Sequence, residues 1–217
     1  MAEETILHYH DVALTTEDLR ALRGDWLTDN NISFWEEVLE HEDLKRYPGV
    51  KIILLRPSMV MLMRQVEDES MIISALPDLR KASHIFLPIN DCDDPREAEG
   101  GSHWSLLVVG VRDGVAFHYD SLMPSNDNVA KTVAAKLFHI LGRTSGWRYL
   151  QVPDTPQQIN GSDCGVHVCM NMEELLYRLL QVNVDSNVDM KMKGSKQNAR
   201  EFRIRMERKL LQERAQA

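Results

Sequence analysis

The stretch that most constrains this chain is Cys164–Leu180, a long, mostly apolar segment that follows a polar turn, Asn160-Gly161-Ser162-Asp163. Its length and composition predict a helix, and a helix apolar on most of its faces has to be buried. The rest of the chain must therefore build layers around it. A length of 217 residues fits one domain, and a hydrophobic content of 43% supplies the mass for such a core. Ile85–Ile89 and Trp104–Val111 are dense in β-formers with no helical period and read as buried strands. Thr5–Tyr9, Lys51–Leu55, Val115–Asp120 and Trp147–Val152 read as further strands, with Asp113-Gly114 as a hairpin signal. Helices are predicted over Thr15–Leu22, opened by Thr-Thr-Glu-Asp, and over Asp29–Leu39 and Pro57–Val66. Two more are predicted, Asn126–Leu141, stopped by Gly142, and Lys196–Gln212. This order predicts a single α+β domain over residues 1–217, with a central mixed sheet flanked by helices. Asn90–Gly101, an acidic segment with paired glycines, and Asp185–Ser195 are expected to be loops.

Charge narrows the partners. The chain carries a formal −8, yet Lys191–Arg214 holds nine Lys or Arg against Glu201, Glu207 and Glu213, a local +6. The remainder sums to −14. An acidic body disfavours nucleic acid and suits a basic protein partner. The basic segment, about 196–212, reads as a solvated helix face. No apolar run approaches the roughly 20 residues of a membrane span. The Met-Ala-Glu-Glu start lacks signal-peptide features. Three cysteines at no framework spacing imply a reducing compartment, cytoplasm or nucleus. Cys164, His167 and Cys169 do not share a helix face, which argues against a metal there.

Cys164 sits where turn residues give way to the apolar helix, so its sulfur feels the positive end of the helix dipole. Gly165 is expected to leave space beside it for a substrate. Asp163 opposes a thiolate by charge, so a cationic imidazole has to compensate. The competing reading is a small buried apolar side chain, and position alone does not separate the two. A nucleophile needs a base and a group to hold it. His103, after Gly100-Gly101-Ser102 and at the mouth of a strand, suits a proton carrier. Asp120, in His118-Tyr119-Asp120-Ser121, suits the orienting carboxylate. A two-residue Asp113-Gly114 turn would place Asp120 opposite Leu107, four residues and roughly 13 Å from His103, so contact requires skew, a bulge or a different turn. Gln158, six residues before Cys164, is a candidate oxyanion donor beside the Cys164 N–H.

These residues stand in recognisable motifs. Gly101-Ser102-His103-Trp104-Ser105-Leu106-Leu107, then His118-Tyr119-Asp120-Ser121, then Pro156-Gln157-Gln158-Ile159-Asn160-Gly161-Ser162-Asp163-Cys164-Gly165 resemble the Ulp/SENP family of cysteine proteases that cleave ubiquitin-like modifiers. Asp25-Trp26-Leu27-Thr28-Asp29 is similar to the same family's Trp-Leu-x-Asp motif. The resemblance implies a papain-like (Ulp/SENP-type) cysteine protease domain with its catalytic core at about 20–182. It implies Cys164 as nucleophile, His103 as base and later acid, Asp120 as orienting group and Gln158 in the oxyanion hole. It further implies that Trp26 and Trp104 form a slot around a C-terminal Gly-Gly, which only residues without side chains can thread. Of the two, Trp26 has the stronger case for being a core residue instead.

The segment from Ile89-Asn90-Asp91 to Gly100-Gly101 is similar to the deneddylase branch, which acts on the Nedd/Rub-type modifier of cullins. That implies Asp29, Asn90 and Asp91 as further substrate contacts, alongside Trp26 and Trp104. The expected enzyme is a monomer with no metal or organic cofactor. A SUMO-specific protease is the alternative within the family. A non-catalytic binding module for a ubiquitin-like protein is the alternative outside it.

Overall fold

A computed structural model describes residues 4–93, 100–181 and 188–216. The elements run β1 (Thr5–Tyr9), β2 (Val12–Thr15), α1 (Thr16–Leu22), α2 (Asp29–Val38), β3 (Ile52–Leu54), α3 (Pro57–Gln65), α4 (Glu69–Ala75), β4 (His84–Asn90) and β5 (Trp104–Gly110). They continue with β6 (Val115–Tyr119), α5 (Asp127–Ile140), β7 (Arg148–Gln151), α6 (Cys164–Leu180) and α7 (Ala199–Gln216). Residues 94–99, half of the acidic loop, and 182–187, which take in the first three residues of the second expected loop, lie outside the described residues.

The central sheet has the order β3-β4-β5-β6-β7. The three middle strands are antiparallel, and β3 and β7 join at the edges in parallel. Alternate side chains enter two separate cores. Phe86, Leu106, Val108 and Tyr119 pack with α2, α6, α7 and the β1–β2 hairpin. Ile85, Leu87, Leu107, Val109 and Ala116 pack with α3, α4 and α5. Burial on both faces explains why these strands lack the polar alternation of a surface sheet. The expected α+β architecture is present, and α6 spans the predicted Cys164–Leu180 and lies deep in the first core. Among the described residues, no helix is long and apolar enough to cross a membrane.

Two elements escaped the sequence reading. β2 is only four residues long and passes directly into the Thr15 cap, where helix-start chemistry masks the strand. Thr15 closes a capping box with Asp18, as the sequence predicts for a helix start. α4 is a short helix capped by Asp68. The β5–β6 turn also differs from the ideal. The last pair is Gly110↔Val115, so four residues turn the chain rather than two. Continuing the register from Leu106↔Tyr119 sets Asp120 opposite Ser105. Asp120 is then two residues from His103 and on the same side of the ladder, within diagonal reach.

Candidate active site

The beginning of β5, the end of β6 and the first turn of α6 meet at the strand ends in the middle of the sheet. His103 Nε2 lies 2.6 Å from Asp120 Oδ1, with both side chains buried. The Cys164 sulfur lies near enough to the same ring to raise its proton affinity. With Nε2 committed to the carboxylate, Nδ1 is the nitrogen left for the sulfur. Burial alone would depress the His103 pKa, but the hydrogen bonds with Asp120 and Cys164 and their charges outweigh it and raise the value to about 9. Asp120 is pushed up by burial and pulled down further by His103 and the N–H groups of Asn126 and Leu122, which hold it below the usual carboxylate range. Those N–H groups donate at 3.0 and 2.9 Å. The three residues that the sequence reading grouped are thus brought together, and the four-residue turn removes the apparent 13 Å gap.

Three residues that the sequence reading passed over, or placed differently, hold this geometry. Asn126 is fully buried. Its Nδ2 donates to the carbonyls of Ile89 and His103 and to Ser105 Oγ, at 3.3, 3.2 and 3.2 Å. It therefore ties the ends of β4 and β5 to the carboxylate its own N–H bonds. Asp91 was expected to contact substrate. Its oxygens accept from the N–H and Oγ of Ser102 (both 2.6 Å) and from the His103 N–H (2.9 Å), so it also shapes the backbone leading into His103. Gly101 lies at φ 91° against this turn, where a Cβ would fall 2.1 Å from Asn90 Oδ1. Arg203 of α7 is the third. Its Nε donates to Asp163 Oδ1 at 2.7 Å, its Nη1 to the Ala21 carbonyl and its Nη2 to the Ser162 carbonyl. The Asp163 charge beside the sulfur is thereby balanced by a guanidinium, not by an imidazole alone. The basic segment is accordingly more than a solvated face: Phe202, Arg203, Met206 and Leu210 are buried.

Other expectations are redistributed. Gln158 is held by Ser121 Oγ, which donates to Oε1 at 2.7 Å, while its Nε2 donates to the Asn160 carbonyl. Its amide is thus fixed within the Cys164 loop. Asp29, Asn90 and Trp104 line one small cleft together with Arg64 and Gly100. Trp104 is 6% exposed and Trp26 45%, which reverses the expectation that Trp26 is the core residue. The space beside the sulfur at Gly165 is already taken. A Cβ there would sit 2.9 Å from Leu27 Cβ, so this glycine lets α6 approach the segment before α2 rather than admitting substrate. Among the described residues, Cys164, His167 and Cys169 do not gather as a metal-binding group. Cys169 is fully buried, and its thiol is pushed well up by burial.

A buried sulfur, imidazole and carboxylate at the strand ends of a mixed sheet, with the sulfur opening a central helix, define a cysteine-peptidase fold. The chain belongs to the Ulp1 protease family: residues 25–209 match the model of its C-terminal catalytic domain. It is 41% identical over 194 residues to a protein named NEDD8-specific protease 2 from Schizosaccharomyces pombe, covering 87% of this chain and 46% of that protein. It is 31% identical over 187 residues to human sentrin-specific protease 8, covering 85% and 87%. Against the first two curated relatives it matches, the chain spans under half of their length. The yeast Ulp1 protease domain, solved in complex with Smt3, the yeast ortholog of SUMO, superposes with a TM-score of 0.68 at 20% identity and covers 98% of this chain and 89% of that one.

Proposed function

We propose that this chain is a thiol protease that cleaves after the C-terminal Gly-Gly of a ubiquitin-like modifier of the NEDD8 type. It acts on precursor tails and on isopeptide links to lysine, cullin conjugates included. The observation that carries the reading is the His103–Asp120 hydrogen bond, with the Cys164 sulfur close enough to the same ring to act on its titration. The names of the relatives support the choice of modifier. His103 takes the thiol proton and the sulfur attacks the scissile carbonyl, giving a tetrahedral oxyanion. The Cys164 N–H and the Gln158 amide, one of whose N–H groups is left over from its bond to the Asn160 carbonyl, serve it. The imidazolium then protonates the leaving amine, and a thioester remains on Cys164. Water, deprotonated by His103, releases the modifier and restores the thiol. Asp29, Asn90, Trp104 and Trp26 contact the modifier's tail. All three reacting groups come from one chain, which supports a monomer. Chemistry that needs a reduced sulfur supports the cytoplasm or nucleus as its site of action.

Side-by-side incubation with NEDD8 and SUMO precursors tests the proposal. The NEDD8 precursor is cleaved preferentially, and Cys164→Ala abolishes turnover while retaining binding. Preferential SUMO turnover would reassign the modifier. Undiminished turnover by Cys164→Ala would remove the nucleophile. Binding without cleavage by the unaltered chain would leave a binding module.

A further inference from the structure

We propose that His10, Glu37 and His41 form a binding site for a divalent transition metal of the zinc class, clipping the β1–β2 turn to the end of α2. One donor atom from each residue lies within 4.8 Å of the other two. Glu37 lies in the last turn of α2 and His41 four residues on, in the π-helical turn Leu39–Asp43 that continues from it, with Glu37 Oε2 3.1 Å from His41 Nε2. An ion with bonds of about 2.1 Å in tetrahedral geometry sets its ligands about 3.4 Å apart, so this pair is already at ligand spacing. The carboxylate is rigid: the Glu37 side chain is 2% exposed, and its other oxygen accepts from Arg56 Nη2 at 2.7 Å. That is the arrangement of a monodentate ligand oriented by an outer partner. Arg56 also bonds Glu40 at 2.5 Å, so its charge does not stand alone against an incoming cation.

His10 comes from a different element. It lies between β1 and β2 at φ 48°, the only non-glycine residue with positive φ among those described. Turn positions of this kind ordinarily take Gly, Asn or Asp. Here the imidazole lies flat on that of His41, with centroids 3.4 Å apart and planes 9° from parallel. Hairpin geometry alone does not call for histidine at this position, and a ligand role accounts for it. Two imidazoles and one carboxylate suit zinc-like ions rather than the oxygen-seeking calcium or magnesium. Both histidines are exposed. On binding, the stacked rings turn so that their lone pairs converge, the His41 Nε2 proton passes to Nδ1 or to solvent, and a water completes the tetrahedron. The site is separate from the Cys164 centre and serves to fasten the hairpin.

The test uses the full chain carrying Cys164→Ala, so that the active-site sulfur does not capture the metal. Zn²⁺ is titrated calorimetrically and Co²⁺ by its visible absorption. The expected result is one equivalent bound, tetrahedral Co²⁺ bands, and a rise in melting temperature with Zn²⁺. His10→Ala and His41→Ala, both surface changes, each weaken binding by roughly tenfold or more. The double variant loses the metal-dependent rise in melting temperature. Absence of saturable binding, or binding of equal strength in the double variant, would overturn the proposal.

Discussion

At the residue scale, the reacting groups were legible because their chemistry is carried by side-chain type and by short motifs. The residues that hold them were not. Asn126 reads in sequence as the first residue of a predicted helix, and nothing local announces that its amide bridges two strands. Its importance follows from geometry. Asn126→Asp replaces the donors facing the His103 and Ile89 carbonyls with an acceptor, which lets the β5 entrance shift relative to Asp120. Displacements of this scale cost about 10²-fold in rate. A fall of that order in kcat, with KM nearly unchanged, is expected in steady-state cleavage of a fluorogenic modifier substrate. Full kcat in a folded variant would show that the bridge is dispensable. The pair it supports also has a pH signature. The raised His103 value of about 9 means the folded state binds this proton more tightly than an unfolded chain, where the value is 6.5. The resulting stabilisation is complete below pH 6.5 and is lost as pH rises through about 9. Thermal melts of the parent and of His103→Gln should therefore converge on the alkaline side.

At the scale of elements, the strands were located well because two buried faces leave a dense apolar signature. The turn between β5 and β6 was misjudged because Asp-Gly signals a turn without fixing how many residues precede it. A polar device inside the second core was equally hidden. His118 Nε2 is 2.9 Å from Ser105 Oγ, and its Nδ1 is 2.8 Å from the Tyr149 hydroxyl. Burial pushes its pKa down to about 4, against the raising influence of Asp120 and Asp127 and with smaller lowering contributions from His103 and Lys131. A depressed value stabilises the fold above the unfolded value of 6.5, and that contribution is lost as pH falls toward 4. The shift corresponds to about 3 kcal/mol. Denaturant titrations of His118→Gln should show a flatter decline than the parent between those limits. An unchanged slope would mean that His118 does not titrate with unfolding. Gly165→Ala belongs to this scale too, since its Cβ would force α6 from Leu27. Overpacking of this kind costs about 1–3 kcal/mol, read from the midpoint of denaturation.

At the scale of the whole molecule, α7 is joined to the site. Composition could not reveal this, because one buried arginine among many exposed basic residues leaves the charge run unchanged. Arg203 links the Cys164 loop, α1 and α7 in a single set of hydrogen bonds. Removing one partner of a buried ion pair costs about 3–5 kcal/mol. Arg203→Met is expected to lose stability of that order, and to lose activity even at temperatures where it stays folded, because Asp163 then stands unpaired beside the sulfur. A variant equally active and equally stable would separate α7 from the site. The bond from Arg203 to Asp163 spans 40 positions of chain. Ribosomes build from the amino end, so the nucleophile emerges well before the guanidinium that settles its loop. A growing polypeptide therefore carries its sulfur beside an unbalanced carboxylate until α7 has emerged and docked.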